Sequence, residues 1–236
     1  HNLLYEVTLN MKFFFIAGTD TDVGKTLVSI ALLQLARESN LTTAAIKPVA
    51  AGCNKSADGL RNDDALALQS VITASLAYDE INPIALEPAI APHIAANNIA
   101  CEISAKYLAG QCDQIFQKKN DFTLVESAGG WCVPLNATET LADLAVLLKI
   151  PVVLVVGLKL GCINHALLTF DAIKNDGLVV SGWVANQVDK NMVAVDENIE
   201  ALVQRLSCPF LGYIPFLNNP SAIHASKFLD IKKLLL

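Results

Sequence analysis

The stretch from residue 18 to residue 26 constrains the fold of this chain more than any other. It has the sequence GTDTDVGKT, follows an apolar run at residues 13–17 and opens a helical pattern at residues 26–38. A strand, a glycine-containing loop and a helix N-terminus in this order are typical of a phosphate-binding loop. In such a loop, successive backbone N–H groups surround the phosphate oxygens, and the positive end of the helix dipole attracts their charge.

Three residues of this loop have individual roles in that interpretation. Gly24 permits close backbone approach, Lys25 reaches the β- and γ-phosphates, and the Thr26 hydroxyl binds magnesium. The usual pattern has four residues between its first glycine and the Gly-Lys pair, whereas Gly18 leaves five. The alternative is a glycine-containing turn followed by a chance Gly-Lys-Thr, which the flanking strand and helix disfavour. The loop therefore predicts a nucleoside triphosphate site without predicting the reaction.

Apolar strand-like runs and helical patterns alternate along the chain. Strands are predicted at residues 13–17, 43–48, 122–126, 152–156, 179–185 and 210–214, and helices at residues 26–38, 63–77, 104–119, 141–148, 165–175 and 196–206. This alternation predicts a doubly wound, mostly parallel α/β sheet with helices on both faces, as in P-loop NTPases. Residues 79–100, with prolines at 83, 88 and 92, predict an irregular excursion. We interpret residues 11–236 as one ATP-binding domain and residues 1–10 as an upstream extension or a remnant of cloning.

The composition argues against several classes of protein. A formal net charge of −6 and a sequence pI near 5.2 disfavour a nucleic-acid partner, which selects for a basic face. The six cysteines are scattered without a C-x-x-C pair, so we expect reduced thiols in a cytoplasmic protein instead of a zinc site or disulfides. The most membrane-like stretch, residues 141–158, contains Asp143, Lys149 and Pro151, and therefore predicts a helix followed by a buried strand.

Phosphoryl transfer also needs carboxylates that hold a metal ion and cations that neutralise the reacting oxygens. Glu126 ends an apolar strand, at the edge where ligands bind in open α/β sheets. Asp63 and Asp64 begin a predicted helix, where helix capping and metal binding remain equal alternatives. Lys47 closes the second strand and is expected to lie over the same edge; the alternative is an ordinary solvated lysine.

Further segments make the sequence resemble the dethiobiotin synthetase family, which acts in biotin synthesis. The segments are GTDTDVGKT (18–26), IKPVAAG (46–52), GLRNDDALAL (59–68), PHIAA (92–96), LVESAGGW (124–131), VVGLKLGCINHALLT (155–169), GWVAN (182–186) and LGYIPFL (211–217). A variant phosphate loop alone would be weak evidence. The order of these segments through nearly the whole chain makes the resemblance specific.

The resemblance implies an ATP-dependent cyclo-ligase that converts 7,8-diaminopelargonate and carbon dioxide to dethiobiotin, ADP and phosphate through a phosphorylated carbamate. It also implies a Mg²⁺ ion held by Thr26, Asp64 and Glu126, directly or through water. Lys25 is expected to hold the β- and γ-phosphates, and Lys47 to neutralise the carbamate and the phosphoryl group in flight. The nucleotide-binding residues that the resemblance implies are Asp22, Val23, Gly24, Lys25, Thr26, Leu27, Asp64, Glu126, Ser127, Ala128, Gly129, Asn186, Gln187, Pro215, Phe216 and Leu217.

A homodimer, in which the partner chain completes each active site, is a further implication of the resemblance. Gly161, Cys162 and Asn164 are expected to receive the substrate carboxylate at a helix N-terminus, across the dimer interface. Lys159 and His165 flank these residues. For Lys159 the alternative is a surface lysine, and for His165 we prefer a helix-packing histidine.

Two residues depart from the family's pattern at the site. Ala51, in a substrate-binding segment, stands where a hydroxyl residue is common, and one expected contact is therefore missing. Ser127 replaces a glycine after Glu126, which is expected to tighten the local backbone. Neither change removes a charged group.

Two other classes of protein share the general architecture. Regulatory ATPases of the partition type resemble each other in a signature lysine five positions before the Gly-Lys lysine, and Asp20 occupies that position here. Amide ligases of the cobyrinate type usually carry a glutaminase domain, for which 236 residues are not expected to leave room. The sequence therefore favours the ring-closing ligase.

Overall fold

A computed structural model of the protein describes residues 11–236, and the predicted upstream extension at residues 1–10 lies outside the described residues. The strands are β1 (Lys12–Gly18), β2 (Thr43–Ile46), β3 (Val49–Ala50), β4 (Asn54–Ser56), β5 (Gly59–Arg61), β6 (Ile84–Ala85), β7 (Phe122–Glu126), β8 (Val152–Leu158), β9 (Val180–Gln187) and β10 (Phe210–Ile214). The helices are α1 (Lys25–Glu38), α2 (Asp63–Val71), α3 (Tyr78–Ile81), α4 (Pro92–Asn97), α5 (Ala105–Phe116), α6 (Leu141–Leu148), α7 (Cys162–Asn175), α8 (Val195–Arg205), α9 (Ala222–Ser226) and α10 (Lys232–Leu235).

Six strands form a parallel central sheet in the order β10-β9-β8-β1-β7-β2. The chain runs from β1 to the edge strand β2, returns through β7, and continues on the other side of β1 through β8 to β10. This arrangement confirms the predicted doubly wound sheet. Two small sheets lie outside it: β3 pairs with β6 in parallel, and β4 and β5 form an antiparallel hairpin.

The apolar strands are buried on both faces of the central sheet. Successive side chains of a strand point to opposite faces, and in β1 the side chains of Phe15 and Ala17 enter one hydrophobic cluster while Phe14 and Ile16 enter the other. The first cluster includes residues of α5, α6 and α7, and the second includes residues of α1, α9 and α10. Burial on both faces explains why these strands have continuous apolar runs.

The helix predicted at residues 63–77 is shorter in the structure. α2 ends at Val71 because Ile72 adopts an extended conformation and the chain turns towards the sheet edge. The N–H groups of Thr73 and Ala74 both donate to the carbonyl of Thr43 in β2, and the Thr73 hydroxyl accepts from the Thr43 amide at 2.7 Å. Pairing with a residue distant in sequence therefore outweighs the local helical pattern.

Several other elements also differ from the predictions. The strand predicted at residues 43–48 ends at Ile46, and Lys47 lies between β2 and β3. α7 begins at Cys162 instead of residue 165. The excursion at residues 79–100 contains β6 and α4, which the local sequence pattern does not indicate.

The carboxyl ends of the parallel strands meet at one edge of the sheet. The phosphate loop follows β1, Lys47 follows β2, and Glu126 is the last residue of β7. Ligands of doubly wound sheets bind at this edge, so the fold brings these predicted site residues together.

Within residues 11–236, no helix combines the length and the apolar character needed to cross a membrane. The same residues contain no group of three or more His, Cys, Asp or Glu side chains positioned for a shared metal ion. All six cysteines are free thiols.

Candidate active site

A cavity of about 950 Å³ opens beside the phosphate loop, at the carboxyl edge of the sheet. The predicted site residues that line it are Asp22, Gly24, Lys25, Thr26, Lys47, Ala51, Asp64, Ala128 and Gly129. These residues come from four separate parts of the sequence. The structure therefore assembles phosphate-loop, lysine and carboxylate candidates around one space of a size suited to small-molecule ligands.

The N-terminus of α1 is open to a ligand. No side chain of the described residues caps it, which leaves the first-turn N–H groups available to phosphate oxygens. Asp22 adopts a φ of +57°, a conformation that is uncommon outside glycine and concentrated at functional sites. Val23 is buried against Gly157 of β8, and Leu27 is half-buried on α1.

Gly24 and Asn186 are in direct contact at this helix N-terminus. Gly24 is the N-cap of α1 and has a φ of +85°, in the left-handed region that favours glycine. The buried Asn186 side chain, on β9, donates a hydrogen bond of 2.9 Å to the Val23 carbonyl. A Cβ atom on Gly24 would overlap the Asn186 amide nitrogen. Position 24 therefore requires glycine for two independent reasons.

Lys25 is buried, and among residues 11–236 its ammonium group has only carbonyl groups as hydrogen-bond partners. Its Nζ donates to the carbonyl oxygens of Asp20 at 3.0 Å and Gly129 at 2.5 Å. Burial lowers the pKa of Lys25 to about 8, and repulsion from Lys47 acts in the same direction, partly offset by nearby carboxylates. A phosphate anion is a better partner for this ammonium group than two neutral carbonyls, so the environment of Lys25 suits an anionic ligand.

Lys47 lies between two carboxylates. Its Nζ is 2.6 Å from Asp64 Oδ2 and 2.8 Å from Glu126 Oε1, and its side chain is 5% exposed. Burial alone would lower the pKa of Lys47, but the attraction of Glu126 and Asp64 outweighs it and raises the pKa. Burial favours a higher pKa for Asp64, but the Lys47 charge and hydrogen bond outweigh it and lower that pKa. Lys47 and Asp64 are therefore both charged at neutral pH, and the alternative of a solvated lysine is wrong.

The two carboxylate oxygens of Glu126 differ in their hydrogen bonds. Its Oε1 accepts hydrogen bonds from Lys47 Nζ and from Thr26 Oγ1, the latter at 2.7 Å. Its Oε2 is buried without a hydrogen-bond partner among the described residues, which is costly for a polar oxygen. A cation at this point would remove that cost. Hydroxyl and carboxylate oxygens are ligands that Mg²⁺ prefers, and one or two carboxylates suffice when phosphates and water complete its shell.

Asn62, and not an aspartate, caps α2. Its Oδ1 accepts the Ala65 amide at 3.2 Å, as N-cap side chains do. Asp63 is exposed, whereas the Asp64 carboxylate points to Lys47. Asp64 is therefore not the helix cap, because the N-cap position is already filled, and its role in binding a metal ion stays a prediction.

Gln187 connects β9 to the segment after β10. Its Oε1 accepts hydrogen bonds from the Tyr213 hydroxyl at 2.6 Å and from the Phe216 amide at 3.3 Å. Pro215, Phe216 and Leu217, predicted at the nucleotide base, thus follow β10 beside Gln187, but they do not line the main cavity. Their contact with a base stays a prediction.

The two departures from the family pattern have different surroundings. Ala51 lines the cavity, and its carbonyl accepts a long bond of 3.5 Å from Asn62 Nδ2. Ser127 is buried, and its amide donates to the Ile16 carbonyl at 3.1 Å. The positive φ in this segment, +63°, belongs to Gly129, so Ser127 does not strain the backbone.

Gly161, Cys162 and Asn164 lie at the start of α7, where Gly161 is the N-cap with a φ of +93°. They do not line the main cavity, so a substrate carboxylate at this point stays a prediction. Lys159, just before them, forms an ion pair of 2.9 Å with Asp20 of the phosphate loop. His165 is exposed, and the preferred interpretation of a packed histidine is therefore wrong.

One wall of the cavity is not predicted by local sequence patterns. It is formed by residues 89–92 and residues 132–134, which are mostly apolar. The first segment belongs to the proline-rich excursion at residues 79–100. The match of PHIAA (92–96) to the family was the sequence feature that pointed to a functional role there. The cavity is therefore lined by both apolar residues and the charged phosphate loop, a combination that suits a ligand with both an alkyl and a charged part.

Known proteins resemble this chain over most of its length. A family model described as an AAA domain matches residues 12–223. The "ATP-dependent dethiobiotin synthetase BioD" of Cellvibrio japonicus is 57% identical over 227 residues, which cover 96% of this chain and 99% of that protein. The proteins of the same name from Pseudomonas paraeruginosa and Aeromonas salmonicida are 51% and 49% identical, each over 95% of this chain and 98% and 100% of their own lengths.

Solved structures show the same fold at low sequence identity. The MinC:MinD cell division complex of Aquifex aeolicus matches with a TM-score of 0.60 and 16% identity, covering 95% of this chain and 93% of the matched chain. A ParA family ATPase from Chlorobium tepidum matches with a TM-score of 0.54 and 15% identity, covering 93% and 96%. At these identities the likeness concerns the P-loop NTPase fold alone.

Proposed function

Because this chain belongs to the ATP-dependent dethiobiotin synthetase family, we propose that its cavity closes the ureido ring of dethiobiotin with Lys47 as the central catalytic group. The observation that supports this proposal most directly is that Lys47 is buried between Asp64 and Glu126 and lines the same cavity as the phosphate loop. The enzyme is a ligase that uses ATP to form carbon–nitrogen bonds.

The reaction joins three substrates in three steps. One amine of 7,8-diaminopelargonate attacks carbon dioxide and loses a proton, which gives a carbamate. A carbamate oxygen attacks the γ-phosphorus of ATP, and the bond from this phosphorus to the bridging oxygen breaks with release of ADP. The second amine then attacks the carbamoyl carbon and loses a proton, the carbon–oxygen bond to phosphate breaks, and the cyclic urea and phosphate result.

The difficult step brings an anionic carbamate to an anionic triphosphate. Fixed cations that face the reacting oxygens in a cavity shielded from water lower the barrier to such a step. Lys25, released from its two carbonyl partners, would hold the β- and γ-phosphates. Lys47 would face the carbamate and the transferring phosphoryl group, while Asp64 and Glu126 keep its ammonium group in place and protonated.

Thr26, Asp64 and Glu126 are the residues that would hold Mg²⁺. The support is the buried, unpartnered Oε2 of Glu126 and the Thr26 hydroxyl next to it. When bound, Mg²⁺ supplies positive charge to the β- and γ-phosphate oxygens. The Lys25 and Lys47 ammonium groups act on the same region from fixed positions.

We further propose that a second copy of the chain completes each site. Gly161, Cys162 and Asn164 lie outside the cavity of their own chain, at the N-terminus of α7. Beside them Leu160 is 97% exposed, which favours a contact with another surface. In this arrangement the partner's α7 N-terminus binds the substrate carboxylate. Mixing inactive Lys47→Gln and Asn164→Ala chains should restore part of the activity, because one site of each mixed dimer is intact.

The test of the function is direct. Purified protein is incubated with 7,8-diaminopelargonate, bicarbonate and Mg-ATP, and dethiobiotin and ADP are measured together. We expect equal amounts of both products and no ADP release above background when diaminopelargonate is omitted. ADP release that is independent of diaminopelargonate, without dethiobiotin, would exclude the ligase and favour a simple ATPase.

A further inference from the structure

A chain of buried hydrogen bonds joins the backbone of Lys47 to the helix that carries Asp64. The backbone N–H of Asn62 donates to the Tyr78 hydroxyl at 2.7 Å, and this hydroxyl donates to Asn82 Oδ1 at 3.1 Å. Asn82 Nδ2 then donates to the Lys47 carbonyl at 2.8 Å. Asn62, Tyr78 and Asn82 are all buried, so water competes little for these bonds.

The two ends of this chain of hydrogen bonds hold the backbone at or near the two residues of the Lys47–Asp64 ion pair. Lys47 lies beyond the last residue of β2, so its backbone has left the central sheet. Its amide donates to the Ile81 carbonyl at 2.7 Å, and its carbonyl accepts from Asn82, so both groups are held by the end of α3. At the other end, Asn62 is the N-cap of α2, two residues before Asp64.

The direction of each bond is fixed by chemistry. Asn82 Nδ2 faces two carbonyl oxygens, those of Lys47 and of Ile84 at 3.2 Å, so this atom must be the amide nitrogen. Asn82 Oδ1 then needs a donor, and in the described part of the chain the protonated Tyr78 hydroxyl supplies it. Burial raises the pKa of Tyr78, and the hydroxyl therefore keeps its proton. The Arg61 guanidinium lies 4.2 Å above the centre of the Tyr78 ring and holds it in place.

We propose that Tyr78 and Asn82 are positioning residues for the ring-closing reaction. They hold Lys47 and Asp64 at the distance from each other that the reaction requires. Neither side chain lines the cavity or is placed in contact with substrate. Their effect is to fix the distance between two backbone segments whose side chains meet at 2.6 Å. Displacements of about 1 Å in such groups can slow a reaction roughly 100-fold. The inference rests on the proposed role of Lys47.

The test compares Tyr78→Phe with two controls. Tyr78→Phe keeps the ring and its contact with Arg61 but removes the hydroxyl. Tyr107→Phe removes a hydroxyl from a half-exposed tyrosine on α5. Asp176→Ala removes the 2.7 Å hydrogen bond that Trp131 Nε1 donates to Asp176, a residue that does not line the cavity, and serves as a control for lost stability.

For Tyr78→Phe we expect kcat to fall roughly tenfold while the Kd of ATP stays within twofold, because the phosphate loop makes none of these bonds. Amide hydrogen exchange should increase at residue 47 and residues 62–66 but not at residues 18–26. Asn82→Asp, which keeps the acceptor for Tyr78 and loses the donor to Lys47, should also lower kcat. In the double variant the two losses should not multiply.

An unchanged kcat in Tyr78→Phe would overturn the proposal. So would an equal weakening of ATP binding, or a matching fall in kcat in Asp176→Ala, since either would indicate general loosening. If the unmodified protein makes no dethiobiotin, the proposed function fails, and the exchange pattern alone then decides whether Tyr78 joins the two segments.

Discussion

Lys47 Nζ, which belongs to a residue that lines the cavity, lies 2.8 Å from Glu126 Oε1, where the Glu126 side chain has no exposed surface. Each group of this ion pair is needed by the other, because an unpaired charge at this depth is strongly unfavourable. The pair also keeps the lysine ammonium group protonated at the point where anionic substrates are proposed to meet. In the proposed mechanism, stability and catalysis therefore depend on the same two atoms.

Replacement of Lys47 by glutamine should abolish turnover without abolishing nucleotide binding. We expect kcat to fall roughly 100- to 1,000-fold, the range for the loss of one group that stabilises developing charge, while the Kd of ATP by calorimetry changes little. The melting temperature should also fall, because Glu126 loses its cation.

The double variant Lys47→Gln/Glu126→Gln separates these two effects. Two amides can hydrogen-bond each other without a net charge, so stability should recover relative to Lys47→Gln while turnover stays low. Lys55→Gln, which breaks an exposed ion pair with Glu87, is the control and should change neither property. Normal turnover in Lys47→Gln would contradict the proposed mechanism.

Glu126→Gln should change the magnesium dependence of nucleotide binding. The amide still accepts from Thr26 but no longer offers a carboxylate to a cation, so the Mg²⁺ concentration for half-maximal ATP binding should rise about 10- to 100-fold, as for other changes at metal sites. ATP binding without Mg²⁺ should be nearly unaffected. Glu200→Gln, on the exposed face of α8, is the matched control. An unchanged Mg²⁺ requirement would remove Glu126 from the metal site.

Nucleotide affinity should depend on pH through Lys25. The pKa of Lys25 in the ligand-free protein is about 8, below its ordinary value of 10.5, and contact with phosphate raises it. ATP binding is therefore strongest below about pH 8 and weakens as the pH rises above that value, by at most about tenfold per pH unit. Calorimetry in buffers of different ionisation enthalpy should detect proton uptake on binding near pH 8.

The same shift has the opposite sign for the stability of the ligand-free protein. Between about pH 8 and pH 10.5 the unfolded chain binds more protons at Lys25 than the folded chain does, so the contribution of Lys25 to the free energy of unfolding rises with pH. Lys25→Met should remove this dependence and abolish ATP binding. A rise in ATP affinity above pH 8 would contradict the assignment.

Gly24→Ala should be much more harmful than a similar change at Gly177. Both glycines have a positive φ, +85° and +80°, but only a Cβ on Gly24 meets another side chain, that of Asn186. Gly177→Ala should lower the free energy of unfolding by about 1–2 kcal/mol from backbone strain. Gly24→Ala should add about 1–3 kcal/mol from overpacking and weaken ATP binding, whereas equal losses at both positions would disprove the contact.

Much of this site follows from short-range patterns in the sequence. Glu126 is visible as the polar end of an apolar strand, and the loop before Lys25 is visible from its glycines and its flanking elements. Both depend on one strand and the residues next to it, because a continuous apolar run and the start of a helix are local properties of the sequence.

The remainder depends on contacts between distant segments. Nothing near Tyr78 indicates that its hydroxyl joins Asn62 to Asn82, and nothing near Thr73 indicates that it leaves a helical pattern to pair with Thr43. The ion pair of Lys47 with Asp64 similarly joins the end of β2 to α2. Such pairings arise from the path of the chain between elements, which local periodicity does not encode.

The ion pair between Asp20 and Lys159 has a consequence for how functions diverge on this fold. A lysine at position 20, as in partition-type ATPases, would place two ammonium groups where Asp20 and Lys159 now lie 2.9 Å apart, and like charges at that distance repel. A single substitution would therefore disturb the β8–α7 connection before it conferred any new property. We therefore expect a lysine at position 20 to be accompanied by a change at position 159.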